Sequence, residues 1–542
     1  MPSLLGSTVL LALLVPGTLA AQRMPAPAQR VPAQSRASGT ADSSTQAATS
    51  PSAAIPIAGP AKSAAAPIGI FEGQSDIGSI SPAGAGAYDA AGNSYLLASS
   101  GQNIWAEHDD FHYLWKRVSG DFAITADIHF SDKSGPEHKK AVLMFRESMA
   151  PDSKYADVAL HGNGETALQF RYNRGGTTQE IQLPELNPYR LRIEKRGDYV
   201  YVYEAGKGED FRPSGAAMRV SFDGPFYAGI GMCAHQNGLT ESAAFSNVEV
   251  TPLQTSVTPP QLYSSLDTIE LSSGNVYEVY VTPGRIEAPS WTPDGSAFIF
   301  NGEGRIWRLP VSGGKPDAIN TGSAVSNIND HGISPDGKWL AISDQSEADH
   351  HYRIYVLPID GGTPRAITGP NSYWHGWSPH GKTIAFVGLR NGDYDVYTVP
   401  AAGGEETRLT TAKGVDDGPA YSPDGKYIYF SSERSGSTQI WRMNADGSDQ
   451  QQITNDGFQS RFPHVSPDGQ WLEFLTYDAN VKGHPQDKDV VVRLMSLKDG
   501  SIKEVVRLFG GEGAINMPSW SPDSKRFAFV DYAYFPVEKA AK

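Results

Sequence analysis

The chain has 542 residues, too many for one hydrophobic core, so two or more domains are expected. Asp and Glu (60) outnumber Lys and Arg (45), giving a formal charge of −15. That balance, with no long cationic run, excludes nucleic acid as the expected partner, because phosphate binding needs clustered cations.

Residues 1–21 read as an export signal. The apolar run Val9–Val15 is followed by Pro16-Gly17 and the small residues Thr18, Ala20 and Ala21. Such a run suits a signal core and is too short to span a bilayer. No Lys or Arg precedes it, so only the terminal amine is positive there. No later segment reaches the roughly 18 apolar residues of a transmembrane helix, so none is expected. Export implies a periplasmic or secreted protein. Residues 22–66 are mostly Ala, Pro, Ser, Thr and Gln, a composition that cannot offset its ordering entropy, and they read as a disordered linker. Cys233 is the only cysteine; within Ile230-Gly-Met-Cys-Ala234 it reads as a buried packing residue.

Residues 67–253 alternate with period two between turns. Phe122, Ile124, Ala126, Ile128 and Phe130 fall on one face of a predicted strand, with Thr125, Asp127 and His129 on the other. Many short strands without helical periodicity predict a β-sandwich or jelly roll. The run Trp115-Lys-Arg-Val-Ser-Gly-Asp-Phe122, with Met144-Phe-Arg-Glu-Ser148, Asp152 and Asp157-Val-Ala-Leu-His-Gly162, resembles the concanavalin A-like (laminin-G-like) sandwich of bacterial exported proteins. The resemblance implies a jelly roll, often tied to carbohydrate binding. Alternation places Arg146, Tyr155, Asp157, His161, Gln169 and Arg171 opposite Leu143, Phe145, Val158, Leu160, Leu168 and Phe170. That polar face is either a sugar site or a solvated outer sheet. His108 and His112 would meet only on a helix, so a solvated loop is expected there.

Residues 262–536 repeat one phrase six times: Trp291-Thr-Pro-Asp-Gly295, Ile333-Ser-Pro-Asp-Gly337, Trp377-Ser-Pro-His-Gly381, Tyr421-Ser-Pro-Asp-Gly425, Val465-Ser-Pro-Asp-Gly469 and Trp520-Ser-Pro-Asp-Ser524. Successive copies start 42, 44, 44, 44 and 55 residues apart. A period of about 40–45 residues is that of a four-stranded propeller blade. The repeats resemble the TolB-like propeller family. After Trp520 the sequence supplies only two strands, ending at Lys525–Tyr532. The missing two match Thr268-Ile-Glu-Leu271 and Val276-Tyr-Glu-Val-Tyr-Val281 upstream, so a six-bladed β-propeller closed from both ends is predicted. The whole chain is expected to be all-β. The family's namesake is a periplasmic protein of a cell-envelope complex and carries an α/β domain where this chain has a sandwich. That difference sets the envelope role in question.

The innermost strand of each blade lines a propeller's channel. Five residues before each Ser or Thr of the phrase stand Glu287, Asn329, Tyr373, Asp417, Arg461 and Asn516, all polar. Three residues before it, four repeats carry Pro, and two carry His331 and His375 instead. Asp330, Trp374 and His464 adjoin them. These residues form the candidate binding site at the channel mouth, the competing reading being that the histidines only cap strand starts. The long loops Asp344–Arg353, with His350 and His351, and Tyr477–Lys488, with His484, reach the same rim. His380 replaces the Asp of a turn and reads as structural.

Two functions stay open. The first is recognition of a glycan or an envelope protein partner at the channel mouth. The second is a carbohydrate-active enzyme, a polysaccharide lyase or glycosidase. There His331 or His375 is the base, Arg461 neutralises a carboxylate, and Asp417 or Glu287 is the acid or a ligand. A more distant likeness to oligogalacturonate lyases implies a manganese-binding histidine cluster. A divalent metal is therefore conceivable, but the remaining ligands find no match. No Gly-x-Ser-x-Gly elbow occurs, which argues against a peptidase of the propeller-plus-hydrolase type.

Overall fold

The computed structural model describes residues 67–132, 134–254 and 259–536. The export signal and linker expected over 1–66 lie outside them. Every regular element among the described residues is a β-strand, and no helix there is long and apolar enough to cross a membrane.

From Ile286 to Gly511 the chain forms five four-stranded antiparallel sheets, each with its strands in sequence order. The repeated phrase is the turn between first and second strands, and its residue types follow from the hydrogen bonds it makes. In the copy at Ser422, the hydroxyl donates to Asp424 Oδ1 (2.7 Å) and accepts from the Tyr427 amide (3.0 Å). Asp424 also accepts from the Lys426 amide (3.1 Å), which with Ser422 holds its carboxyl down to about 2. Gly425 closes the turn at φ 70°, a conformation that costs glycine nothing. At His380 the Asp is absent, yet Ser378 Oγ still accepts from the Thr383 amide (3.0 Å), so the turn survives on the serine.

The first strand of each of these sheets carries a bulge. Extra residues interrupt the pairing between Glu287 and Ser290, Asn327 and His331, Trp374 and Gly376, Asp417 and Ala420, and Arg461 and His464. A bulge re-aims the side chains around it and breaks period-two alternation.

Upstream of the first of these sheets, Gln261–Glu270 pairs antiparallel with Val276–Pro283 on one side and, over its whole length, with Arg526–Phe535 on the other. Trp520 bridges Phe527 beyond that. The two segments expected to meet, around Thr268 and Lys525, are therefore paired.

The N-terminal part holds a seven-stranded sheet and the strands of a larger one. Ile124, Ile193 and Phe245 of the first sheet share a buried core with Leu143, Phe145, Val158 and Ile230 of the second, on the faces alternation predicts. The larger sheet does not stop at this region. Gln179–Gln182 runs parallel to Val276–Pro283, pairing Ile181 with Val276 and Gln182 with Tyr277, so ten strands form one sheet reaching Arg526–Phe535. Tyr201 and Tyr203 pack their rings 5.3 and 5.5 Å from Phe535 at the same junction.

Candidate functional site

A cavity of about 460 Å³ opens where the bulged strands converge. Five of the six residues expected to ring the channel line it: Glu287, Asn329, Tyr373, Asp417 and Asn516. Arg461 does not. Its Nη2 donates to Glu433 Oε1 (3.0 Å) and Thr438 Oγ1 (2.9 Å), and the buried side chain lies outside the cavity lining.

The bulges decide the fate of the histidines. His375 is the residue skipped in its ladder, between Trp374 paired to Phe386 and Gly376 paired to Ala385, and it faces the cavity. His331 has returned to register opposite Ile342, and His464 opposite Glu473. Both are buried outside the cavity, His331 Nε2 lying 3.5 Å from the Ile299 carbonyl and His464 Nε2 3.2 Å from that of Ile515. Burial pushes His331 down to about 4 and His464 to about 3, so both are neutral struts. The expected pair of His331 and His375 therefore does not form. Asp330, in the bulged stretch, does line the cavity. Trp374 is buried, its ring lying over Gly332.

Further lining residues come from connecting segments. His484 belongs to the 477–488 loop, with Gln486 opening the strand Gln486–Ser496 that follows, Tyr352 belongs to the 344–353 loop, and Glu512 to the glycine-rich stretch Gly510–Gly513. Tyr394 completes an aromatic wall in which the Tyr352 and Tyr373 rings lie 5.4 Å apart and those of Tyr373 and Tyr394 6.2 Å apart. The loops were legible as long and histidine-bearing; Glu512, Tyr352, Tyr394 and Gln486 carried no repeat signal. His350 and His351 of the 344–353 loop are exposed and lie outside the lining.

Asp417 is the electrostatic centre. Its Oδ1 lies 3.2 Å from His375 Nε2 and accepts from the Gly418 amide (2.7 Å), while Oδ2 lies 3.6 Å from His484 Nε2. Burial works against its charge, but His375, His484 and Arg461 outweigh it and hold the carboxyl well below the usual range. Reciprocally, burial opposes charge on both imidazoles, yet Asp417 and Asp330 raise His375, and Glu512, with Nδ1–Oε2 at 3.1 Å, raises His484. Asp330 and Glu287 behave oppositely. Burial and neighbouring carboxylates hold each up at about 7. The site thus combines an ionised carboxylate, two cationic-leaning imidazoles and two carboxyls that exchange protons near neutrality. Such a set can hold a polar ligand by many hydrogen bonds or move a proton.

Among the described residues no three His, Cys, Asp or Glu are grouped so as to hold a metal ion. The polar face proposed in the N-terminal part is not open to solvent either. Arg146, Tyr155, Asp157, Gln169 and Arg171 are fully buried and His161 nearly so. A short hairpin, Ile104–Trp105 with His108–Asp109, lies over them. Its Asp109 accepts from Arg146 Nη1 (3.3 Å) and, at Oδ1, from Arg171 Nη2 (2.8 Å). Burying that many charges requires mutual pairing, which period-two counting cannot reveal. His112 sits in a strand, 2.6 Å from Asp76 Oδ1, apart from the exposed His108. Cys233 is buried, as its apolar neighbours imply, and its thiol is pushed up to about 12 by burial.

The TolB beta propeller domain model matches residues 371–503. An uncharacterized protein of Agrobacterium fabrum is 47% identical over 277 residues, covering 51% of this chain and 94% of that protein. A solved structure from Agrobacterium tumefaciens, provisionally assigned as TolB, is 46% identical, covers 51% of this chain and 99% of its own, and has a TM-score of 0.49. TolB from Acinetobacter baumannii is 17% identical, covers 59% of this chain and 79% of its own, with a TM-score of 0.39. With a relative nearly half identical and matched almost end to end, and with the propeller model falling on its repeats, the chain belongs to the TolB-like β-propeller family.

Proposed function

We propose that the protein is an exported recognition protein of the cell envelope or its surroundings, holding a glycan or an envelope protein partner in the cavity at the channel mouth. The observation that carries this reading is the cavity itself: about 460 Å³, within the size of ordinary ligand sites, with convergent polar groups from separate sheets. The leader-like run at Val9–Val15 supports a periplasmic or secreted location. We infer also that Gln261–Glu270, Val276–Pro283 and Arg526–Phe535 serve as a sixth blade, a reading supported by their continuous antiparallel pairing. The two N-terminal sheets are read as a concanavalin A-like sandwich spanning 67–253, supported by their shared core. Glycan-array and pull-down screens on the purified protein test the proposal. Binding that is lost in Asp417→Asn is expected. Silence in both screens, from protein with an intact unfolding transition, sinks it.

A second reading, a carbohydrate-active enzyme, draws support from Asp330 and Glu287, carboxyls held at about 7 near an ionised Asp417. Its lyase form loses its cation, since Arg461 is engaged with Glu433 and no Lys or Arg lines the cavity. Release of reducing ends from neutral polysaccharides, abolished in Asp330→Asn, would establish a glycosidase. Absence of any release across such polymers removes that reading and leaves recognition.

A further inference from the structure

The cavity's charges are unevenly matched. Asp417 and Glu512 are each within reach of an imidazole. Among the described residues neither Asp330 nor Glu287 forms an ion pair; His375 and Arg285 act on them only at longer range. Glu287 accepts one hydrogen bond, from Gln486 Nε2 (2.8 Å). Asp330 is 5% exposed, lines the cavity, and forms no hydrogen bond or ion pair among the described residues, the His375 imidazole acting on it only at longer range. A buried carboxylate left without a partner is costly, which is why it is retained mainly where something fills the gap. Tyr352 and Tyr373 line the same cavity, and burial first, with Asp330 adding to it, raises both phenols. Tyrosine faces attract cations and also stack on the apolar face of a sugar ring. Around this acid-and-tyrosine wall, Asn329, Asn516 and Gln486 place amides that can both donate to and accept from hydroxyl groups.

Resting on the recognition reading above, we propose that the cavity binds an amino sugar whose nitrogen is free and protonated, with the ammonium against Asp330 and Glu287 and the ring against Tyr352 and Tyr373. An anionic sugar meets four carboxyl groups, which outnumber the two imidazoles, and no lining Lys or Arg, so uronates are disfavoured. A neutral sugar leaves Asp330 facing only the His375 imidazole, which is already bonded to Asp417. A lysine side chain satisfies the acid but presents no hydroxyls to the amides. The volume has room for about two sugar rings.

Isothermal titration of the full-length protein at neutral pH decides the matter, with the free-amine disaccharide of glucosamine, its di-N-acetylated form and a lysyl dipeptide as probes. The free amine is expected to bind, and acetylation to weaken it at least about tenfold. Asp330→Asn should cost a similar factor with the unfolding temperature unchanged or raised, since the variant removes an unpaired buried carboxylate. Glu287→Gln gives a second reading should that variant misfold. Equal binding of the acetylated sugar, full affinity in both variants, or binding of the dipeptide alone overturns the proposal. Should the amine fail while neutral glycans still bind on the array, this inference falls and the recognition reading stands; failure of both removes both.

Discussion

Glu473 is fully buried on the second strand of the fifth sheet, and the Ser519 hydroxyl donates to it at 3.0 Å. Burial pushes its carboxyl up to about 8, more than the serine can offset. The folded protein therefore keeps a proton that the unfolded chain releases above its ordinary value of about 4.5. The resulting stability is complete below that pH and is lost as pH rises through about 8. Glu473→Gln keeps an acceptor for Ser519 and cannot ionise. Relative to the native protein, its melting temperature should be higher at pH 8.5 than at pH 5, as differential scanning calorimetry would show. Residue by residue, the sequence told more about position than about orientation. Five of six ring residues reached the cavity because their place in the repeat is fixed by the turn that follows. Arg461 was lost because its long side chain could reach Glu433 instead, and no repeat pattern encodes that choice.

At the scale of the strand, the bulges explain both what the repeats predicted and what they hid. Strand order and the serine–aspartate turns follow from local chemistry and were readable directly. The extra residues in these first strands were not, because they change facing without changing composition. His331 and His375 occupy equivalent places in the sequence, yet only the one skipped by its ladder meets the cavity. The strand Asn327–Ile333 is also pinned from outside. A Cβ on Gly332 would lie 1.8 Å from Trp374 Cη2, so the close approach of neighbouring sheets requires glycine there. Gly332→Ala should destabilise the protein by about 1–3 kcal/mol, read from the urea midpoint, by forcing the indole off its seat. Unchanged stability would mean that Trp374 has room to move. The N-terminal polar face failed for a related reason: alternation identifies which side is polar, but a two-stranded cover from Ile104 to Asp109 decides whether that side meets water.

For the molecule as a whole, the unforeseen fact is the shared sheet. The sequence divides at the stretch between 253 and 262, yet Ile181 and Val276 pair across that division. Phe535, 1% exposed, packs against Tyr201 and Tyr203 from one side of it and Tyr263 from the other. Stability of the two regions should therefore be coupled. Phe535→Ala is expected to cost about 3–5 kcal/mol and to lower the melting of both together in one calorimetric transition. Two resolved transitions, only one of them shifted, would instead indicate independent folding. The arrangement also has a mechanical meaning. The strands Gln261–Glu270 and Val276–Pro283, which pair the start of the repeat region with its end, are the ones the N-terminal region grips, so a pull applied through that region loads this pairing before any of the five four-stranded sheets. Tension on one half of the molecule would thus be felt by the other as a strain on its fastening.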